Sequence, residues 1–225
     1  MLSLKEDRVD AFRTADETAF RRRARDYFRC QDGPRRSAST AAPERIWRDL
    51  EGARGPDGPA ASPRGVSLIG LVAIIEEAAC HAPRLGHDLL AWRAASEPLG
   101  RIEGRLCLIG RLAGTAAHVI ETGTRAARER GAFASSLMGC REIQESLAGL
   151  VAGAELLRLG TCRVCRLLDR GERARAEAES ALLHGRAVVL ARDVRAVALS
   201  LLGERWAEAN LPADDRPSGS ERKKR

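Results

Sequence analysis

Over residues 100–208 apolar side chains recur in alternating steps of four and three. Ile102, Leu106, Ile109, Ala113, Ala116 and Ile120 form the first run, which continues through Gly123 and Ala127. Cys140, Ile143, Leu147, Leu150, Ala154, Leu157, Val164 and Leu168 keep the same repeat, with Thr161 in one inward slot. Leu183, Ala187, Leu190, Val194, Val197 and Leu201 form the third run. Such spacing gathers apolar residues along one side of a helix. Three sustained seams predict a bundle of three long helices crossing at about 20°. Asp169-Arg-Gly171-Glu reads as a compact helix–helix turn, its glycine suited to a left-handed cap. Gly110, Gly114 and Ala117 put small residues on the first helix, where a neighbour can approach closely.

Upstream the pattern is shorter and more broken. Thr14-Ala-Asp16-Glu17 reads as a helix start with acids in its first turn. That helix runs to about Arg29 and carries Phe20, Ala24, Tyr27 and Phe28 on one side; Arg21-Arg22-Arg23 reads as a solvated face. Residues 31–42 and 52–65 are rich in Gly, Pro and Ser and read as loops. Between them Pro43 opens a short helix holding Ile46, Trp47 and Leu50. Residues 66–80 predict a helix with Leu68, Leu71, Val72 and Ile75 inward and Glu76-Glu77 at a wetter end. Pro83 breaks it, and residues 85–95 predict another helix with Leu89, Leu90 and Trp92 packing. The expected organisation is an all-α chain with an N-terminal helical part at 14–96, a three-helix bundle at 100–208 and a disordered basic tail at 212–225.

Composition sharpens this picture. The chain has 225 residues, 44% hydrophobic but only 4% aromatic, and its Ala and Leu content favours helix over sheet. The formal net charge is +7, which permits a polyanionic partner. Arg and Lys are interspersed with Asp and Glu rather than gathered in a stripe with aromatics, which speaks against a nucleic-acid surface. The longest apolar run, residues 66–75, is far short of the ~20 residues that cross a bilayer. The N-terminal Met-Leu-Ser-Leu-Lys-Glu-Asp is charged almost at once, unlike a secretory signal. The six cysteines sit mostly in apolar helical pattern, so free thiols and a cytoplasmic setting are expected. Cys162 and Cys165 have the spacing of half a zinc site but have no second pair. His81, His87, His118 and His184 show no ligand spacing to one another.

The segment between the first two bundle helices carries a resemblance. Arg130, Phe133, Ile143, Gln144, Leu147 and Ala148 stand in register with a motif of the acyl-CoA dehydrogenase family: Tyr-x-x-x-Arg-x-x-Phe-Gly, then Phe-Gln-x-Ile-Gln, then Leu-Ala. Arg105 and Gly114 upstream and Leu201-Leu202-Gly203 downstream fall on further family positions. The N-terminal helices are similar to that family's N-terminal helical domain, so the likeness spans about 14–206.

The departures are equally specific. The family carries a β-domain between its helical parts, which holds the flavin ring and shapes the acyl-CoA cleft. Here only about residues 92–100 separate the two parts, and no run of alternating strands occurs. The family's Phe-Gln pair is Cys140-Arg141, its Phe-Gly is Phe133-Ala134, and its glycine turn reads Gly203-Glu204-Arg205-Trp206. The Tyr-Glu-Gly segment that supplies the usual catalytic base does not occur. The alternative base position on the first bundle helix falls on Gly104. Glu103 lies one residue away, about 100° around the helix.

The resemblance implies FAD as cofactor, shared with a partner subunit, and Arg130 and Phe133 as the residues that would contact it. A guanidinium can grip a pyrophosphate through paired hydrogen bonds; a cation also suits the end of a helix, and both roles stay open for Arg130. Phe133 also fits plain core or interface packing. No catalytic and no metal-binding residue is assigned. The reading that follows is a dehydrogenase-like protein without the β-domain or the catalytic Glu. It would act as a non-catalytic partner subunit, assembling through the C-terminal bundle with a dehydrogenase-like chain or with itself. Two alternatives stand beside it: an active FAD-dependent acyl-CoA oxidoreductase with a reduced site, and a helical anion- or nucleic-acid-binding module.

Overall fold

The computed structural model describes residues 15–30, 43–52, 67–96, 99–132 and 135–211. The predicted residues 1–13, the loops at 31–42 and 53–65, the tail at 212–225 and Phe133 lie outside them, as do the side chains of Phe20 and Trp47. The described chain is helical: α1 (Ala15–Cys30), α2 (Pro43–Gly52), α3 (Leu68–His81), α4 (Pro83–Ser96), α5 (Arg101–Glu129), α6 (Arg141–Asp169), α7 (Arg173–Leu202) and α8 (Glu204–Asn210). Between α5 and α6 lie two antiparallel strands of two residues each, β1 (Gly131–Ala132) and β2 (Ser135–Ser136), and a 3-10 turn at Leu137–Gly139.

The predicted seams are the core. Leu106 and Ile109 from α5, Leu150 and Leu157 from α6, and Leu190 and Val194 from α7 are buried in one cluster. Each fully buried Leu or Ile contributes about 1.5–3 kcal/mol. Cys140 is a correction: it is exposed, because α6 starts one residue later and Cys140 stands at its N-cap. The turn at residue 171 is as expected, with Gly171 at φ 75°. The Gly171 N–H donates to the Leu168 carbonyl and the Glu172 N–H to Leu167, which together satisfy the last carbonyls of α6. The third helix covers its whole seam and ends one residue after Leu201. Gly203, at φ 90°, ends α7 and lets α8 turn back onto the bundle.

The central element of the packing is α3. Every residue from Gly70 to Ala79 is buried. Leu71, Val72 and Ile75 join the bundle core, while Ile74 and Ala78 join a second cluster with Phe28, Ile46 and Leu89 from α1, α2 and α4. The small residues of α5 permit this. A Cβ on Gly110 would come within 2.6 Å of Val72 Cγ1, and one on Gly114 would overlap the Glu76 carbonyl. Ser67 caps α3 by accepting a 3.2 Å hydrogen bond from the Gly70 N–H. Pro83 separates α3 from α4 but also opens α4, where its missing N–H costs nothing.

Two further readings are corrected here. Glu76 and Glu77 do not face a wet end; they are 4% and 5% exposed. Arg21 is not on a solvated face; it is 7% exposed and bonded to both of them.

Candidate functional site

Arg130 stands where α5 ends. Its N–H donates to the Ala126 carbonyl and closes the helix. Its carbonyl accepts from the Leu137 N–H at 3.0 Å, which closes the short hairpin turn. Its guanidinium crosses to the last turn of α7 and donates to the Leu201 carbonyl at 2.7 Å. The sequence placed this cation at a helix end; the structure shows that the carbonyls it serves belong to a neighbouring helix. The residue is exposed, so this face of the guanidinium borders solvent. The N-terminus of α6 opens at the same hairpin without a side-chain cap. Its first peptide N–H groups and the end of its dipole favour an anion. Gln144 donates from Nε2 to the Met138 carbonyl at 2.7 Å and braces the turn. Arg141 is exposed and paired with Glu145 at 2.6 Å. The end of the bundle thus carries Arg130 and Arg141 together with Glu142 and Glu145. The hairpin brings α5, α6 and α7 together there.

The largest concentration of charge lies elsewhere. Arg21 and Arg25 from α1, Glu76 and Glu77 from α3, and Glu155 and Arg158 from α6 form one network. Arg21 and Arg158 both bond to Oε1 of Glu76, and Arg21 Nε donates to Glu77 at 2.7 Å. Arg25 reaches Glu77 at 3.1 Å, and Arg158 also bonds to Glu155. Burial disfavours the charge on Arg158, but Glu76 and Glu155 outweigh it and hold its pKa above the ordinary value; Arg21 is held up likewise by Glu76 and Glu77. Among the described residues three cations meet three carboxylates in it. It joins α1, α3 and α6 where the burial of any one charge alone would be prohibitive. The signal for it in the sequence was the charged doublet after an apolar run, but its partners lie 52 to 82 residues away.

Other candidate groups are placed as follows. The Glu103 carboxylate folds back over Gly100 at the start of α5, and its Oε2 is buried without a hydrogen-bond partner. The His118 Nδ1–H donates to the Cys80 carbonyl at 2.8 Å, and its ring stacks on Trp206 at 5.9 Å. Burial lowers its pKa. Burial also pushes the Cys80 and Cys107 thiols up to about 12, so both are protonated and unreactive at neutral pH. Cys162 and Cys165 are buried on successive turns of α6. Among the described residues no three His, Cys, Asp or Glu side chains are grouped to hold a metal ion, and no helix is long and apolar enough to cross a membrane. A cavity of about 440 Å³ opens beside the α6–α7 turn, over Leu159, Cys162 and Leu167 with Arg163, Arg166 and Arg175 at its sides. It does not include Arg130.

The model of the family domain described as "Acyl-CoA dehydrogenase, C-terminal domain" matches residues 92–214. No curated protein and no solved structure matches the chain. The matched segment begins inside α4 and takes in α5, Arg130 and its hairpin, α6, α7 and α8. The three seams, the hairpin between the first two long helices and the family match over more than half of the sequence agree: the chain belongs to the acyl-CoA dehydrogenase family.

Proposed function

We propose that this chain is a non-catalytic helical subunit that completes the flavin site of a full-length, FAD-dependent acyl-CoA dehydrogenase. The observation that carries the proposal is the direct passage from α4, ending at Ser96, to α5, starting at Arg101. By the family resemblance, a β-domain that holds the flavin ring belongs at that junction. The end of the bundle fits the phosphate part of such a cofactor and not its ring. Arg130 and the N-terminal peptides of α6 lie at this edge.

When bound, FAD supplies the hydride acceptor for oxidation of a thioester. On this reading Arg130 contributes only a grip. Its guanidinium stays oriented by the Leu201 carbonyl and directs its remaining N–H groups at the pyrophosphate of the partner's cofactor. One charge-assisted hydrogen bond of this kind is worth about 1.5–3 kcal/mol, or roughly tenfold or more in retention. The resemblance also implies a cofactor contact from Phe133, which lies outside the described residues. The setting is the cytoplasm, and the partner is a dehydrogenase-like chain.

The test is co-purification with a full-length dehydrogenase from the same genome, read by flavin absorbance. The expected outcome is a colourless isolated chain, a stable complex, and at least tenfold faster flavin loss from the complex with Arg130→Ala. A yellow isolated chain that oxidises acyl-CoA would replace the proposal with the active-enzyme reading. A colourless chain that binds salt-sensitively to DNA and to no dehydrogenase would replace it with the anion-binding one.

A further inference from the structure

Thr161 on α6 is 5% exposed, and its Oγ1 makes no hydrogen bond among the described residues. A threonine inside a helix commonly returns its hydroxyl to the carbonyl four residues back. Thr115 on α5 does so, donating to the Arg111 carbonyl at 2.9 Å; Thr161 does not. Instead it lines a cavity of about 20 Å³ between α1, α3 and α6, beside the buried charge network. Arg21 reaches this cavity from α1, Ile69 and Gly70 from the first turn of α3, and Arg158 and Cys162 from α6. A space of that size holds one particle about as large as a water molecule. A buried hydroxyl is unfavourable unless something takes its hydrogen bond, and the cavity is where that partner fits.

The chemistry of the lining selects the occupant. A guanidinium has donors and no acceptor, and the Thr161 hydroxyl can donate. The first turn of α3 carries no acidic residue, so no side chain of that turn opposes the positive end of its dipole. The carboxylates of Glu76, Glu77 and Glu155 are engaged by arginines, and none of the three lines the cavity. Arg158 also opposes the charge on Arg21, and Glu76 offsets that repulsion by bonding to both. A water molecule would have to turn its own protons toward these donors. A single anion accepts from all of them. We propose that the cavity binds one halide ion, with chloride as the natural occupant, held by the Arg21 and Arg158 guanidiniums and the Thr161 hydroxyl. The volume excludes phosphate, sulfate and any carboxylate-bearing molecule. The ion ties α1 to α3 and α6, so the joint between the N-terminal helices and the bundle tightens with chloride. This enclosed site lies about five turns of α6 from the Arg130 hairpin, so it holds or fails independently of the flavin reading.

The test is urea unfolding of the full chain, followed by circular dichroism, with sodium chloride exchanged for sodium gluconate at constant ionic strength. Gluconate is too large for the cavity. For the wild type the folded-to-unfolded ratio is expected to rise with chloride, approaching tenfold for each tenfold rise in concentration once the site fills. Bromide is expected to act as chloride does. Thr161→Val keeps the shape of the side chain and removes the hydroxyl. It is expected to be no less stable than the wild type in gluconate and to lose at least half of the chloride response. Thr161→Ser, which restores a hydroxyl, is expected to regain it. A second measurement needs no unfolding: the chloride-35 resonance is expected to broaden on adding folded wild type, and less on adding Thr161→Val. Equal stability in chloride and gluconate would overturn the proposal and leave the cavity to water. A full chloride response in Thr161→Val would overturn the site. If the valine variant does not fold, absence of chloride-35 broadening by the wild type would overturn the proposal by itself.

Discussion

Two groups of arginines sit in this molecule in opposite circumstances. Arg21 is buried, Arg158 is half-buried, and the two share one carboxylate oxygen of Glu76. Arg130 stands exposed at the end of the bundle and donates to a single backbone carbonyl. In the buried group, charge is tolerable only because every member has a partner, so the cluster acts as one structural unit. At the exposed end, water already solvates the guanidinium, so its bond to Leu201 orients the side chain more than it stabilises the fold. The difference teaches that here burial, not residue type or local charge density, separates a structural arginine from one available to a ligand.

The sharpest way to break the comparison is at Glu76. Glu76→Ala leaves Arg21 and Arg158 without their shared acceptor and should cost about 3–5 kcal/mol, measured by urea unfolding. A loss near zero would mean the network is solvated and no different from the Arg130 end. Gly114→Ala tests the close approach of α5 to α3 that closes over this network. Its Cβ would overlap the Glu76 carbonyl, and an overpacking cost of about 1–3 kcal/mol should exceed the ~1 kcal/mol gained from helix propensity. At the exposed end, Arg130→Ala should change stability by no more than about 1 kcal/mol while altering flavin retention in the complex.

His118 lies between these extremes, packed under Trp206. Its folded pKa lies below the ordinary 6.5 because burial disfavours the cation. Below 6.5 the unfolded chain therefore binds more protons than the folded one. Stability is full above pH 6.5 and declines as pH falls from there toward the folded pKa. Thermal melts at pH 7.5 and pH 5.5 should show this decline in the wild type and a weaker one in His118→Phe. The smallest effect is expected at Arg125, whose pair with Glu121 is exposed on both sides at 3.2 Å. Arg125→Ala should cost no more than about 0.5 kcal/mol, and a larger loss would show that surface pairs matter here as buried ones do.

The three long helices were legible because their signal is local and repeated. Seven-residue periodicity held over eight or so turns leaves one side of each helix no stable place but a core. The turn at residue 171 and the close approach at Gly110 and Gly114 were legible for a related reason: only glycine suits those positions. The hairpin after α5 was located by its motif, and Arg130 within it. The partner of Arg130 was not legible, because Leu201 lies 71 residues on and a backbone carbonyl leaves no mark in sequence. Cys140 fell on the seam by spacing and still points to solvent, since a residue at the N-cap precedes the helix that would turn it inward.

What the sequence determined by itself is the class of fold, the family, and the lengths and inward faces of α5, α6 and α7. These follow from patterning and propensity, which act between residues a few positions apart. What only the tertiary structure decided is where charge goes. Glu76-Glu77 read as the wet end of an apolar helix and Arg21 as part of a solvated run. Folding brought α1 and α6 to α3 and joined these three residues to Arg25, Glu155 and Arg158 in one paired cluster. A buried charge is unfavourable alone and acceptable when paired, and the pairing depends on which helices meet, a fact that no local stretch of this chain contains.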